Sequence, residues 1–209
     1  MHIELTEMLR CPEPHAEEAM VLSTGEMIGR MVRSGLVGCS VCRKEFLIVD
    51  GVVDFTGSGM REAGSVAPAP PTHPASRVSL PDYPQALQAL LELSGPGGYV
   101  VLLGSAARRA VGLAGLMAGV HFIGINAPRD LEELPVLSLL RSDEKIPLRS
   151  AMARGLVVGA DFATSPWLVE AHRVLLRGRR FVVEHERPDL PIGLEKLAAA
   201  DGLWVGEKK

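Results

Sequence analysis

The residues best suited to chemistry in this 209-residue chain are three cysteines and a histidine near its N-terminus. Cys39-Ser40-Val41-Cys42 is a C-x2-C knuckle, a spacing that lets two thiolates reach one tetrahedral metal. A closed zinc site needs two further ligands. Cys11-Pro12-Glu13-Pro14-His15 offers one thiol, then a proline where a second would be expected, then an imidazole one place later. Cys11, His15, Cys39 and Cys42 therefore form a candidate Cys3His site, with structural zinc as the implied cofactor. The alternatives are a metal-free module held by its apolar residues, and a redox pair of Cys39 and Cys42. A thioredoxin-like pattern is missing around that pair. Nothing nearby suggests an open coordination position with a base, so a catalytic zinc is not expected.

Outside this cluster the ionisable residues read as structural. His172 and His185 stand alone. Arg173, Arg177, Arg179 and Arg180 read as a solvated helix end and turn, with contact to a phosphate or an acidic partner as the other reading.

Two kinds of element must position these residues. Leu5 to Arg10 predicts a short helical turn leading into Cys11. Met20 to Leu22, Glu45 to Val49 and Val52 to Phe55 predict short strands. Residues 1–56 are thus a small β-rich module, of a size that often needs a metal or a partner surface. Residues 57–80 hold Pro68, Pro70, Pro71 and Pro74 among small side chains and predict a linker. Residues 81–209 alternate between helical and buried-strand patterns. Helices are expected at Pro84 to Ser94, from about Ser105 to Ala118, at Trp167 to Leu176 and at Gly193 to Ala200. Strands are expected at Tyr99 to Leu103, His121 to Ile125, around Leu156 to Val158, at Arg180 to Glu184 and at Leu203 to Val205. Continuous apolar strands between helices indicate a doubly wound α/β fold, Rossmann-like, with a mainly parallel sheet.

Composition fits that class. The chain is 47% hydrophobic with a formal net charge of −3, which suits a globular core and not a basic nucleic-acid binder. Residues 1–56 carry five Lys/Arg against nine Asp/Glu. No long uninterrupted apolar run marks a membrane span. The N-terminus lacks a signal-peptide pattern, and three cysteines make no disulfide framework. Together these predict a reducing, cytoplasmic setting.

The runs LRCPEPH (residues 9–15) and CSVCRKEFLIVDGVVDF (residues 39–55) resemble the short zinc-ribbon family that activates methyltransferases and that also occurs fused ahead of them. The match rests on Leu9 to Pro12, Cys39, Cys42, Phe46 and Asp50-Gly51-Val52; Pro14 and Val53 depart from it. Residues 98–186 are similar to class I S-adenosylmethionine-dependent methyltransferases. The likeness is carried by YVVLLGSAARRAVGLAGLMAG, HFIGINAP, SDEKIPLRSAMARGLVVGADFA and WLVEAHRVLLRGRRFVVEHE.

That second resemblance implies an S-adenosylmethionine site made of Gly104, Asn126 and Asp143. Gly104 keeps one glycine of a loop that otherwise reads Ser105-Ala106-Ala107-Arg108-Arg109. Asn126 stands where the family has the ribose-binding acid, and Asp143 where an acid meets adenine. Past strand four, where substrate groups belong, stand Asp161, Phe162, Thr164, Ser165 and Trp167, with no methyl-transfer signature among them. The family's seventh strand has no residues left for it on this reading, which predicts an open sheet edge near the C-terminus and pairing with a protein partner or a second copy. Three functions follow as expectations: a non-catalytic methyltransferase-like accessory or interaction subunit, a divergent active methyltransferase, or a ribbon that activates a separate methyltransferase.

Overall fold

The computed structural model describes residues 1–57, 84–93 and 95–209. The linker predicted at 57–80 lies outside them apart from Gly57, as does Ser94 at the end of the first predicted helix. The N-terminal part opens with a 3-10 turn, Ile3–Met8, followed by β1 (Met20–Thr24), β2 (Met27–Ile28), β3 (Met31–Val32), β4 (Gly35–Cys39), β5 (Glu45–Val49) and β6 (Val52–Asp54). Then come α1 (Pro84–Leu91), β7 (Tyr99–Leu103), a 3-10 turn at Gly104–Arg109, α2 (Ala110–Leu116), β8 (His121–Ile125) and β9 (Leu137–Arg141). The chain continues through β10 (Ala153–Val158), a 3-10 turn at Ala160–Phe162, α3 (Ser165–Val174), β11 (Arg180–Val183), β12 (Leu194–Ala200) and β13 (Leu203–Lys208).

Eleven of these strands form one sheet in the order β1-β4-β5-β6-β9-β8-β7-β10-β11-β13-β12. β6, β9, β8, β7, β10 and β11 pair in parallel, so the doubly wound, Rossmann-like class expected from the sequence is the fold observed. Successive residues of the inner strands enter opposite cores. Val101, Ile123, Leu156 and Phe181 face the side holding α3, while Val100, Phe122, Val157 and Val182 face α1 and α2. Both faces are covered, which is why these strands read as unbroken apolar runs.

The N-terminal strands are joined to this sheet edge to edge. Asp50 and Gly51 both take positive φ in the tight turn between β5 and β6, the backbone that an Asp-Gly pair favours. That turn sends β6 along β9, with Val53 opposite Leu140 and Asp54 opposite Arg141. Met1, Leu5 and Leu9 are fully buried in the same core as Val101, Ile123 and Leu148. The α-ammonium of Met1 donates to Val32 O at 2.9 Å, Gly51 O at 2.7 Å and Glu133 Oε2 at 2.5 Å, and Arg33 Nη1 donates to Glu133 Oε1 at 2.6 Å. Glu133, between β8 and β9, thus ties the two parts together.

Strands β2, β3, β4 and β9 were not expected from the sequence, and two expected helices differ from what is observed. Leu194–Ala200, rich in Ala, Leu, Glu and Lys, was expected to be a helix and is the strand β12. It pairs antiparallel with β13 along its length, with a bulge between Lys196 and Ala198. Cross-strand pairing overrides helix propensity here, and it supplies the strand for which the sequence reading had no residues left. The expectation of an edge left by a missing strand is thus corrected: β13 pairs with β11, and β12 forms the edge of the sheet. The helix expected from Ser105 is also shorter, because its first turn is 3-10 and α2 begins only at Ala110. Among the described residues no helix is long and apolar enough to cross a membrane.

Candidate metal cluster and strand-end crevice

The four predicted metal ligands converge. Their ligand atoms all lie within 4.8 Å of one another, with Cys11 Sγ to Cys42 Sγ at 3.6 Å and Cys39 Sγ to His15 Nε2 at 3.3 Å. A tetrahedral zinc bound at about 2.3 Å needs ligand separations of about 3.8 Å, which this spread brackets. His15 reaches the cluster through a tight turn in which its N–H bonds Glu13 O at 2.9 Å. Its Nδ1 lies 2.7 Å from Ala16 O and so holds the proton as a donor, which turns the Nε2 lone pair towards the sulfurs. A histidine one residue late can therefore take the place that Pro14 denies to a cysteine.

Burial pushes the Cys11 thiol up to about 12. Burial is also the largest influence on Cys39, in the upward direction. The backbone N–H groups of Cys42 and Val41, with the neighbouring thiols, together outweigh it and bring Cys39 down to about 7. The chemistry and geometry of the set are compatible with zinc.

The predicted cofactor residues lie at the carboxyl ends of the parallel strands, where ligands of open α/β sheets bind. Each has a protein neighbour there. Gly104 follows β7 with φ +65, and a Cβ on it would stand 2.6 Å from Asp161 Oδ1 and 2.7 Å from Asp161 Oδ2, overlapping the Phe162 ring. The glycine is required by the approach of this chain's own side chains. Asp161, from the turn after β10, accepts from Ser105 N–H at 3.0 Å on each oxygen and from Ser105 Oγ at 2.7 Å. The Phe162 ring is held edge-on by Trp167 at 5.1 Å between centroids.

Asn126 ends β8 in a left-handed conformation, φ +50, which asparagine tolerates. Its Nδ2 donates to Ser142 O at 2.8 Å and its Oδ1 accepts from Ser142 N–H at 2.9 Å. A carboxylate has no donor for the first of these bonds, so an amide is the better residue for joining the ends of β8 and β9. Asp143 is exposed after β9. Desolvation, then the charges of Asp54 and Glu144, hold its carboxyl above the usual range. Gly104 and Asn126 are thus spent on internal packing, while Asp143 stays open to solvent.

Arg109, in the turn after β7, pairs with Glu184 beyond β11 at 3.3 Å. The sequence reading did not foresee this cross-connection, since nothing local relates residues 75 positions apart. A shallow cleft of about 290 Å³ lies beside the turn after β7, lined by Ala107, Val111, Leu131, Leu134 and Leu137. His172, read as structural, packs on Gly193, and burial lowers its pKa.

No family model matches the chain, and no curated protein matches its sequence. Among solved structures, it is similar to a chain from the complex of the Haloferax volcanii Trm112 methyltransferase activator with a methyltransferase. The two are 17% identical over 60% of this chain and 89% of that one, with a TM-score of 0.45. The antibiotic-resistance methyltransferase Kmr is 14% identical over 60% of this chain and 92% of its own, with a TM-score of 0.44. The aminoglycoside resistance methyltransferase NpmB1 is 16% identical over 61% of this chain and 94% of its own, with a TM-score of 0.43.

Proposed function

We propose that this chain is a methyltransferase-like accessory or interaction subunit whose cofactor crevice is closed by its own residues, with a zinc-stapled N-terminal ribbon. The observation that carries the reading is the filling of the strand-end crevice: Asp161 and Phe162 on Gly104 and Ser105, and the Asn126 amide on Ser142. A ligand entering at the carboxyl end of β7, on the β10 side, has to displace Asp161 and Phe162, and one reaching the end of β8 meets the Asn126 amide already bonded to Ser142.

Zinc on Cys11, His15, Cys39 and Cys42 would have four protein ligands and no open position, so its contribution is a crosslink in a small module. The ribbon's β6 lies along β9 of the same chain, which favours an internal edge cover over an activator of a separate enzyme. The open edge at β12 is the surface on which a protein partner or a second copy would pair.

The test is calorimetric titration of the full chain with S-adenosylmethionine and S-adenosylhomocysteine, with zinc content measured on the same sample. The expected result is no binding at millimolar cofactor and one zinc per chain. Micromolar binding would overturn the reading and favour the divergent-enzyme alternative, with Asp143 as the first residue to vary.

A further inference from the structure

We propose that Asp161 is a latch: an internal carboxylate that holds the crevice between β7 and β10 shut, so that a ligand enters only when the turn Ala160–Phe162 swings away. The inference deepens the reading of this crevice as a closed cofactor site and rests on it.

Three features carry it. The carboxylate spends both oxygens on Ser105, in one bifurcated bond from the amide, 3.0 Å to each oxygen, and one of 2.7 Å from the hydroxyl. Asp161 is nevertheless exposed, and among the described residues no cation pairs with it, so these bonds are what fix its carboxylate against the turn after β7. The chain also makes room for it on both sides. A Cβ at Gly104 would stand 2.6 Å from its Oδ1, and a Cβ at Gly159 would press on the same oxygen and lie 2.9 Å from Ala106 N.

The moving part is short and bounded. Gly159 N–H bonds Leu103 O at 2.9 Å and anchors one end, and α3 begins at Ser165 on the other. Within it, Phe162 N–H bonds Gly159 O at 3.0 Å and Thr164 N–H bonds Phe162 O at 2.8 Å. A turn held by local bonds can move as a unit while the sheet keeps its register. Phe162 leaves Gly104 in the same movement, because the two residues are adjacent.

The experiment compares the full chain with Asp161→Ala and Asp161→Asn by amide hydrogen exchange and by calorimetric titration with S-adenosylhomocysteine. In Asp161→Ala, exchange at Ser105 is expected to rise at least tenfold while amides within β7 and β10 keep their rates. S-adenosylhomocysteine is expected to bind at least tenfold more tightly than to the unsubstituted chain. Asp161→Asn keeps one acceptor oxygen and should fall between the two on both readouts; it decides the question if the alanine variant does not fold.

Unchanged exchange at Ser105, or faster exchange with no gain in binding, overturns the latch and leaves the accessory-subunit reading standing. Micromolar binding by the unsubstituted chain overturns the accessory reading. If Asp161→Ala still binds tenfold tighter than that, the latch stands; if it binds equally, the latch falls too.

Discussion

Acidification should weaken the seam between the N-terminal segment and the sheet through His121. Its ring begins β8, with the His2 ring 5.0 Å away and Tyr99 edge-on at 5.9 Å. The buried Ser138 hydroxyl accepts the His2 N–H at 2.9 Å and lies 2.9 Å from His121 Nε2. With its oxygen already accepting, the hydroxyl is free to donate to a neutral Nε2. Burial first, then the charges of His2 and the Met1 ammonium, bring His121 from 6.5 down to about 4. The folded state therefore holds the neutral ring, and the unfolded chain binds the extra proton. This contribution is fully present above pH 6.5 and is lost as pH falls from 6.5 towards 4. The whole shift is worth at most about 3.4 kcal/mol, and partial solvent exposure reduces it to about 1.7. Roughly 1 kcal/mol of that should be gone at about pH 5. The assay is urea unfolding of the chain and of His121→Gln at about pH 7.5 and pH 5, read as the difference between the two proteins. Protonation of the cysteine cluster affects both equally and cancels. A difference that changes by less than about 0.3 kcal/mol between the two pH values would refute the assignment to His121.

Three further outcomes are expected. Asn126→Asp should lower stability by about 1–2 kcal/mol in urea unfolding, because the donor to Ser142 O is lost and a carboxylate faces that carbonyl. Glu133→Ala, at a side chain 4% exposed between Arg33 and the Met1 nitrogen, should cost about 2–4 kcal/mol by the same assay, with Glu133→Gln costing less. Cys42→Ser should lower zinc stoichiometry in metal analysis and reduce the protease resistance of residues 1–57, and a strong chelator should act on the unsubstituted chain in the same direction.

What the sequence revealed depended on how local each signal was. The buried strands at Tyr99, His121 and Arg180 were legible because both faces of each are covered, which leaves an unbroken apolar run. The convergence of Cys11, His15, Cys39 and Cys42 was legible in part because C-x2-C spacing is itself the geometry of a knuckle. β9 carries a comparable run, Leu137–Arg141, and went unread between its turns. β12 could not be read locally, since its composition favours a helix and only pairing with β13 makes it a strand. For the crevice, the sequence marked Gly104 and Asn126 as remnants of a cofactor site. Their partners, Asp161 and Ser142, are set by packing between strand ends, which residue type does not encode.

That packing bears on how much a cofactor would have to supply. In an α/β sheet the polar groups at the strand ends are the ones a ligand uses. Here they are spent on one another: Gly159 N on Leu103 O, Asn126 N on Leu140 O, Glu184 N on Val158 O, Ser142 on the Asn126 amide and Ser105 on Asp161. Displacing the bifurcated amide bond and the hydroxyl bond from Ser105 to Asp161, at about 1 kcal/mol each, would weaken binding about thirtyfold. A ligand that also had to release the Asn126 pair would lose a comparable factor again. The space that Asp161 and Phe162 require is by itself a reason for a glycine at position 104.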